Sequence, residues 1–180
     1  HLGKGTSPTE HGFDLHVPHS VNSNLGRRGF YNPKKIPGLD GGEYVTDRLA
    51  ELAANYIDDN KDKPFLLVMS HFSVHDPIHG RPDLVEKYKK KLARMKPQPG
   101  PDYILEGNPD SQTFPTRDEL DELIKRPLYA NSYKSYPNDL VKVKQKQDNV
   151  QFAGMVEAVD QSLGTLMAKL KEHGLVGNTI

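Results

Sequence analysis

The most apolar run in the chain is "PFLLVMS", residues 64–70, and it stands between two very different neighbours. Before it comes "TDRLAELAANYIDDN", in which Leu49, Leu52, Ala53, Tyr56 and Ile57 recur at helical spacing and form one apolar stripe. After it comes "HFSVHDPIHG", polar and closed by a proline. The run has no polar alternation, so "PFLLVMSHF" reads as a short strand buried on both faces. Helix, short turn and buried strand is the grammar of an α/β domain with a mostly parallel sheet. Ligands in such sheets gather at the carboxyl ends of the strands. Residues 71–80 lie at that end.

The other elements are read from period and caps. Thr46 suits the N-cap of the first helix, with Asp47 near the positive end of its dipole. A polar helix is expected over 82–96, with Leu84, Tyr88, Leu92 and Met95 on one side. Thr116 with Glu119 forms a capping-box signature for a short helix. Residues 127–146 show no regular pattern. The clearest element is a long amphipathic helix within 147–180. In it Phe152, Met155, Val156, Val159, Leu163, Leu166, Met167 and Leu170 form the face expected to lie on a sheet. Lys169, Lys171, His173 and then Gly174 suit its C-terminus. Residues 1–45 have neither period and are rich in Gly, Pro, Asn and His, as expected of a long loop that is either functional or disordered, with Phe13, Phe30 and Tyr31 favouring an ordered one.

Composition narrows the chemistry. The 180 residues suffice for one domain with a useful core, and the net charge is zero, so no basic excess points to nucleic acid. There is no cysteine, which removes disulfides, thiolate metal sites and cysteine nucleophiles from these residues. No stretch is long and apolar enough to read as a membrane span, and the start is not a signal peptide. A chain opening on "HLG" without Met and closing on "LVGNTI" reads as a piece of a longer one.

His71, His75 and His79 are four apart, the spacing of metal-binding histidines on a helix. Pro77 and the preceding strand argue against a helix there. The ordinary reading is loop histidines, and it fits His71 and His79 better than His75. If the strand continues through Val74, then His71, Ser73 and His75 share a face and Pro77 turns the chain. His75 then sits at the rim on a stiff corner, where an imidazole serves proton transfer near neutral pH.

Four segments, in order, resemble the sulfatases of the alkaline-phosphatase-like superfamily. They are "HLG" at the start, "HGFD" about ten residues on, "GEYVTDRLAELAANYIDDNKDKPFLLVMSHFSVHDPI" and "FAGMVEAVDQSLGTLMAKLKEHGLVGNTI". The resemblance implies a three-layer α/β/α sandwich, here as a partial catalytic domain over 1–180. Residues 1–45 become an active-site loop region, and 46–80 a helix, strand and histidine corner. Residues 90–145 match poorly and read as a subfamily insertion.

The activity implied is hydrolysis of sulfuric esters, of carbohydrates or arylsulfatase-like aryl compounds, using Ca2+ and a formylglycine made from Cys or Ser. The Cys/Ser-x-Pro-x-Arg motif and the aspartate-rich calcium ligands of the family are not in these residues, so no metal ligand is assigned here. By position, His1 matches the histidine that contacts formylglycine. His75 matches the one that binds sulfate and protonates the leaving oxygen. His19, Ser20 and Asn22 fall where family members contact substrate, or simply face solvent. Arg27 and Arg28 are read as solvent-facing. Asp160 and Gly164 match a recurrent pattern and are read as structural, with Gly164 permitting close helix packing. A sulfated small molecule or carbohydrate is the implied partner, and the periplasm or the exterior the implied location. The 180 residues alone are expected to be inactive. A phosphodiesterase or phosphonate monoester hydrolase of the same superfamily is one alternative. A non-catalytic homologue or binding module is the other.

Overall fold

A computed structural model describes residues 7–17, 43–107, 115–130 and 140–180. The elements are α1 (Val45–Asn60), α2 (Pro82–Leu92), β1 (Tyr103–Glu106), α3 (Arg117–Leu123), α4 (Pro127–Ala130), β2 (Val141–Lys144) and α5 (Val150–Glu172). Short 3-10 turns lie at Pro8–His11 and Val176–Asn178. The chain forms two compact units, His1–Ala93 with Asn149–Ile180, and Arg94–Asp148.

In the first unit α5 packs against α1 and α2. The α1 stripe is made as its period predicts. Ala53 and Ile57 are buried, Ala50 and Ala54 join them, and Leu49 and Leu52 pack around buried Val45. On α5 the buried positions are Gly154, Met155, Ala158, Ser162 and Leu170. Asn149 caps the helix: its side-chain oxygen accepts from the amides of Gln151 and Phe152, both at 3.1 Å. At the other end Gly174 takes φ +69°, the left-handed conformation that ends a helix without steric cost. There His173 Nε2 meets Asp58 Oδ1 at 2.5 Å, and Lys169 Nζ meets Asp58 Oδ2 at 3.1 Å, so the end of α5 is clasped to α1.

Three expectations for this unit are corrected. Among the described residues, 64–72 are extended chain and not a buried strand. They have no ladder partner among those residues, and the burial alternates, with Phe65, Leu67 and Met69 half-buried and Leu66 and Val68 exposed. This is the two-residue period of extended chain lying on helices with one face open. Phe65 meets the ring of Tyr56 on α1 edge-on, 5.8 Å between centroids. The α5 face follows the same logic. It meets helices instead of a sheet, and Phe152, Val156, Leu163 and Met167 remain exposed. Finally, Tyr44 occupies the N-cap of α1, and Thr46 lies inside the first turn, where its hydroxyl serves a different segment.

The second unit contains the only strand ladder among the described residues. Strands β1 and β2 pair antiparallel, with Tyr103 opposite Lys144 and Leu105 opposite Lys142. Leu105 is fully buried with Leu120, Tyr129 and Leu140. The capping box forms as read: Thr116 Oγ1 accepts from the Glu119 amide, and Glu119 accepts from the Thr116 amide at 2.7 Å. The irregular reading of 127–146 missed β2. Its alternation, "VKVK", is only four residues long.

Candidate functional site

The histidine corner is a turn held from two helices. The amide of His75 donates to the carbonyl of Phe72 at 2.9 Å and closes Phe72–His75. A strand therefore does not continue through Val74, and the alternation that puts His71, Ser73 and His75 on one face is lost. His71 is half-buried, and its Nε2 lies 3.4 Å from the buried Ser162 hydroxyl of α5. Burial lowers its pKa, because a charged imidazole there loses hydration. His75 instead stands exposed at the tip, its ring tilted on Phe72 with 5.2 Å between centroids.

The tautomer of His75 follows from one contact. Nδ1 lies 2.7 Å from the carbonyl oxygen of Asp76. A carbonyl only accepts, so Nδ1 carries the proton, and Nε2 is the atom that gains or gives one. Pro77 follows in "HDP".

Side chains brace the corner on either side of this tip. Thr46 and Ser73 share a 2.9 Å hydrogen bond. The Tyr44 hydroxyl donates to the carbonyl of His79 at 2.9 Å. Burial raises the Tyr44 pKa, which keeps that donor protonated. The amide of Gly80 donates to Gln151 Oε1 at 2.9 Å. Arg81 donates to both Asp47 oxygens, to Asp83 and to Gln161. Its bonds to Asp83, then to Asp47, raise an already high guanidinium pKa, so the clamp stays charged. Between corner and helices lies a cavity of about 20 Å³ touched by Tyr44, Thr46, Phe72, Ser73, His79 and Met155. Substrate pockets run to hundreds of Å³, so this is a packing gap behind the corner. His79, read as loop, thus lines the inner side of the corner.

Residues His1, His19, Ser20 and Asn22, with Arg27 and Arg28, lie outside the described residues. Asp160 is exposed on α5. Gly164 has open space where a side chain would go, so it is not the close-packing glycine. Gly154 is, its absent Cβ facing Gly80, Leu84 and Val85 at 3.5 Å. Tyr44, Gln151 and Arg81 escaped sequence reading because their partners are distant in sequence, 35 residues for Tyr44 and His79.

Among the described residues one group has metal-ligand types within mutual reach, Asp58, Glu172 and His173. It does not fit calcium, which takes six to eight oxygens. It offers an imidazole nitrogen, and the Lys169 ammonium already lies 3.1 Å from Asp58 and 3.0 Å from Glu172. A second cation there meets a charge already in place. Nor do these residues hold the Cys/Ser-x-Pro-x-Arg motif in which a formylglycine is made.

The model of the family described as Sulfatase matches residues 3–180, and the chain belongs to the sulfatase family. At the level of the family it is a sulfatase-type hydrolase, and the family implies an alkaline-phosphatase-like α/β fold, with which these helix-rich residues and their two-stranded sheet are consistent as a partial domain. No curated protein matches it. No helix among the described residues is long and apolar enough to cross a membrane.

Proposed function

We propose that these residues form part of the active-site wall of a sulfatase that cleaves sulfate esters of carbohydrates or aryl compounds, with His75 as the general acid. The observation that carries this is the Nδ1 contact of His75 with the Asp76 carbonyl. It presents Nε2 from an exposed tip, and in the imidazolium form Nε2–H is the donor for the oxygen of the departing alcohol. As the sulfur–oxygen bond breaks, that oxygen takes the proton and leaves as the alcohol. Poor leaving groups need this proton most.

Calcium and formylglycine belong, in this reading, to residues outside these 180. His1, His19, Ser20 and Asn22 are proposed neighbours of the same substrate by resemblance. The three-layer sandwich, and a periplasmic or extracellular location, are proposed on the same ground. The test is His75→Ala in the full-length enzyme. The expected result is a fall in kcat of ~100-fold or more for alkyl or sugar sulfates, the scale of losing a general acid. Nitrophenyl sulfate, whose nitrophenolate leaves without a proton, should lose much less. An unchanged kcat on both removes His75 from the site.

A further inference from the structure

We propose that Thr46 is a positioning residue for His75, acting through Ser73. Thr46 is only 2 % exposed and sits in the first turn of α1. A threonine there ordinarily caps its helix or faces water. This one does neither. The N-cap is Tyr44, whose side chain makes no cap bond, and the Thr46 hydroxyl bonds to Ser73 Oγ at 2.9 Å. Ser73 is inside the turn that the His75 amide closes on Phe72. Tyr44, which also meets Ser73, and Asp47 reach the far side of the tip. Tyr44 holds the His79 carbonyl, and Asp47 holds Arg81. One helical turn thus grips the corner before and after His75.

Of these grips, Thr46–Ser73 is nearest to His75 in sequence, two residues away. Ser73 is tied to a helix already anchored by Val45, Ala50 and Ile57. With the tie in place, the turn has one register relative to α1, and the imidazole one direction. Without it, Phe72–His75 keeps its backbone bond and Ser73 keeps the Tyr44 hydroxyl beside it, but the turn loses its direct side-chain bond to the buried Thr46 and can shift against α1. Displacement of an acid by about 1 Å is enough to cost up to ~100-fold in rate.

The kinetic part of this inference rests on the proposed role of His75; its structural part does not. The test is Thr46→Val, which keeps shape and removes the hydroxyl, and Thr46→Ser, which restores it, in the full-length enzyme. Ser73→Ala removes the same bond from the other side and serves if Thr46→Val fails to fold. Two readouts are taken. Histidine ring-nitrogen NMR, with the His75 signal assigned by its loss in His75→Ala, reports tautomer and order. Thr46→Val should shift or broaden the His75 signal toward a mixture of tautomers, and Thr46→Ser should return it. For poor leaving groups, kcat should fall roughly 10- to 100-fold with little change in KM, and recover in Thr46→Ser. An unchanged His75 spectrum in folded Thr46→Val or Ser73→Ala overturns the proposal, whatever the rates. A changed spectrum with an unchanged kcat, where His75→Ala does lower kcat, overturns the catalytic consequence. If His75→Ala itself leaves kcat unchanged, the acid assignment fails, and the spectrum alone decides the positioning.

Discussion

Gly80 lies flush against Gln151: a Cβ added to the glycine would stand 2.6 Å from the Gln151 carbonyl oxygen and 2.8 Å from Cγ2 of Val85. The same glycine donates its amide to the Gln151 side chain. The corner that carries His75 is therefore seated on the first turn of α5 through backbone contact that only glycine permits. Gly154 completes the seat from the helix side: a Cβ added to it would stand 3.5 Å from the Gly80 Cα.

Gly80→Ala should accordingly cost about 1–3 kcal/mol, the usual range for overpacking a closed contact. The obstacle is largely backbone, so it cannot swing aside as a long side chain does. Urea unfolding of the variant beside the parent protein checks this. An equal midpoint and slope would mean that the corner moves off α5 without penalty. Gly164→Ala is the control. The space there is open, and alanine is the better helix former, so stability should hold or rise slightly.

What was legible in the sequence divides along the range of the interactions. The α1 stripe, the Thr116 capping box and the Gly174 terminus are local, written within four residues of one another, and the structure shows each. The contacts that hold the corner span 27 residues for Thr46–Ser73 and 71 for Gly80–Gln151, and no period or spacing announces them. Apolarity at 64–70 was legible, but apolarity does not say what pairs with a strand. Likewise the α5 face was read as one stripe, whereas only Met155 and Leu170 of it are buried, with small Gly154, Ala158 and Ser162 taking the closest approach to α1 and α2. Of the site, His75 was visible through Pro77. Its bracing by Tyr44, Thr46, Gln151 and Arg81 required the fold.

His71 makes the stability of the protein depend on pH on the acid side. Burial lowers its folded pKa below the ordinary value near 6.5, so the unfolded chain binds the proton more readily. Stability from this group is intact above that ordinary value. It falls as pH drops below it and stops falling once pH passes the lowered folded pKa. The only hydrogen bond to its ring among the described residues is the long one from Ser162, and Nδ1 is buried without a partner, so nothing offsets the charge. His71→Gln, which does not titrate, should therefore lose less stability than the parent between pH 7 and pH 5. Denaturation midpoints across that range check it, and parallel curves for the two proteins would rule the mechanism out.

Leu66 tests the sandwich proposed for the full-length enzyme. In these residues it is 71 % exposed and Val68 is 60 % exposed, on the side of the extended segment away from Phe65, Leu67 and Met69. The segment has apolar residues on both sides and a covering on only one. A central strand of an α/β sheet has that composition because helices cover both of its faces. If the sandwich is right, Leu66 is buried in the full-length enzyme, and Leu66→Ala should cost about 2–5 kcal/mol there, as for a core leucine. If the segment stays at a surface, the same change should fall within about 0.5 kcal/mol of zero. Glu51→Ala, on the exposed side of α1, controls for the effect of a substitution as such. A small cost at Leu66, equal to that control, would leave 64–70 as a covered edge of helices with no sheet around it. A large one would make it the strand that carries the chain to the His75 corner.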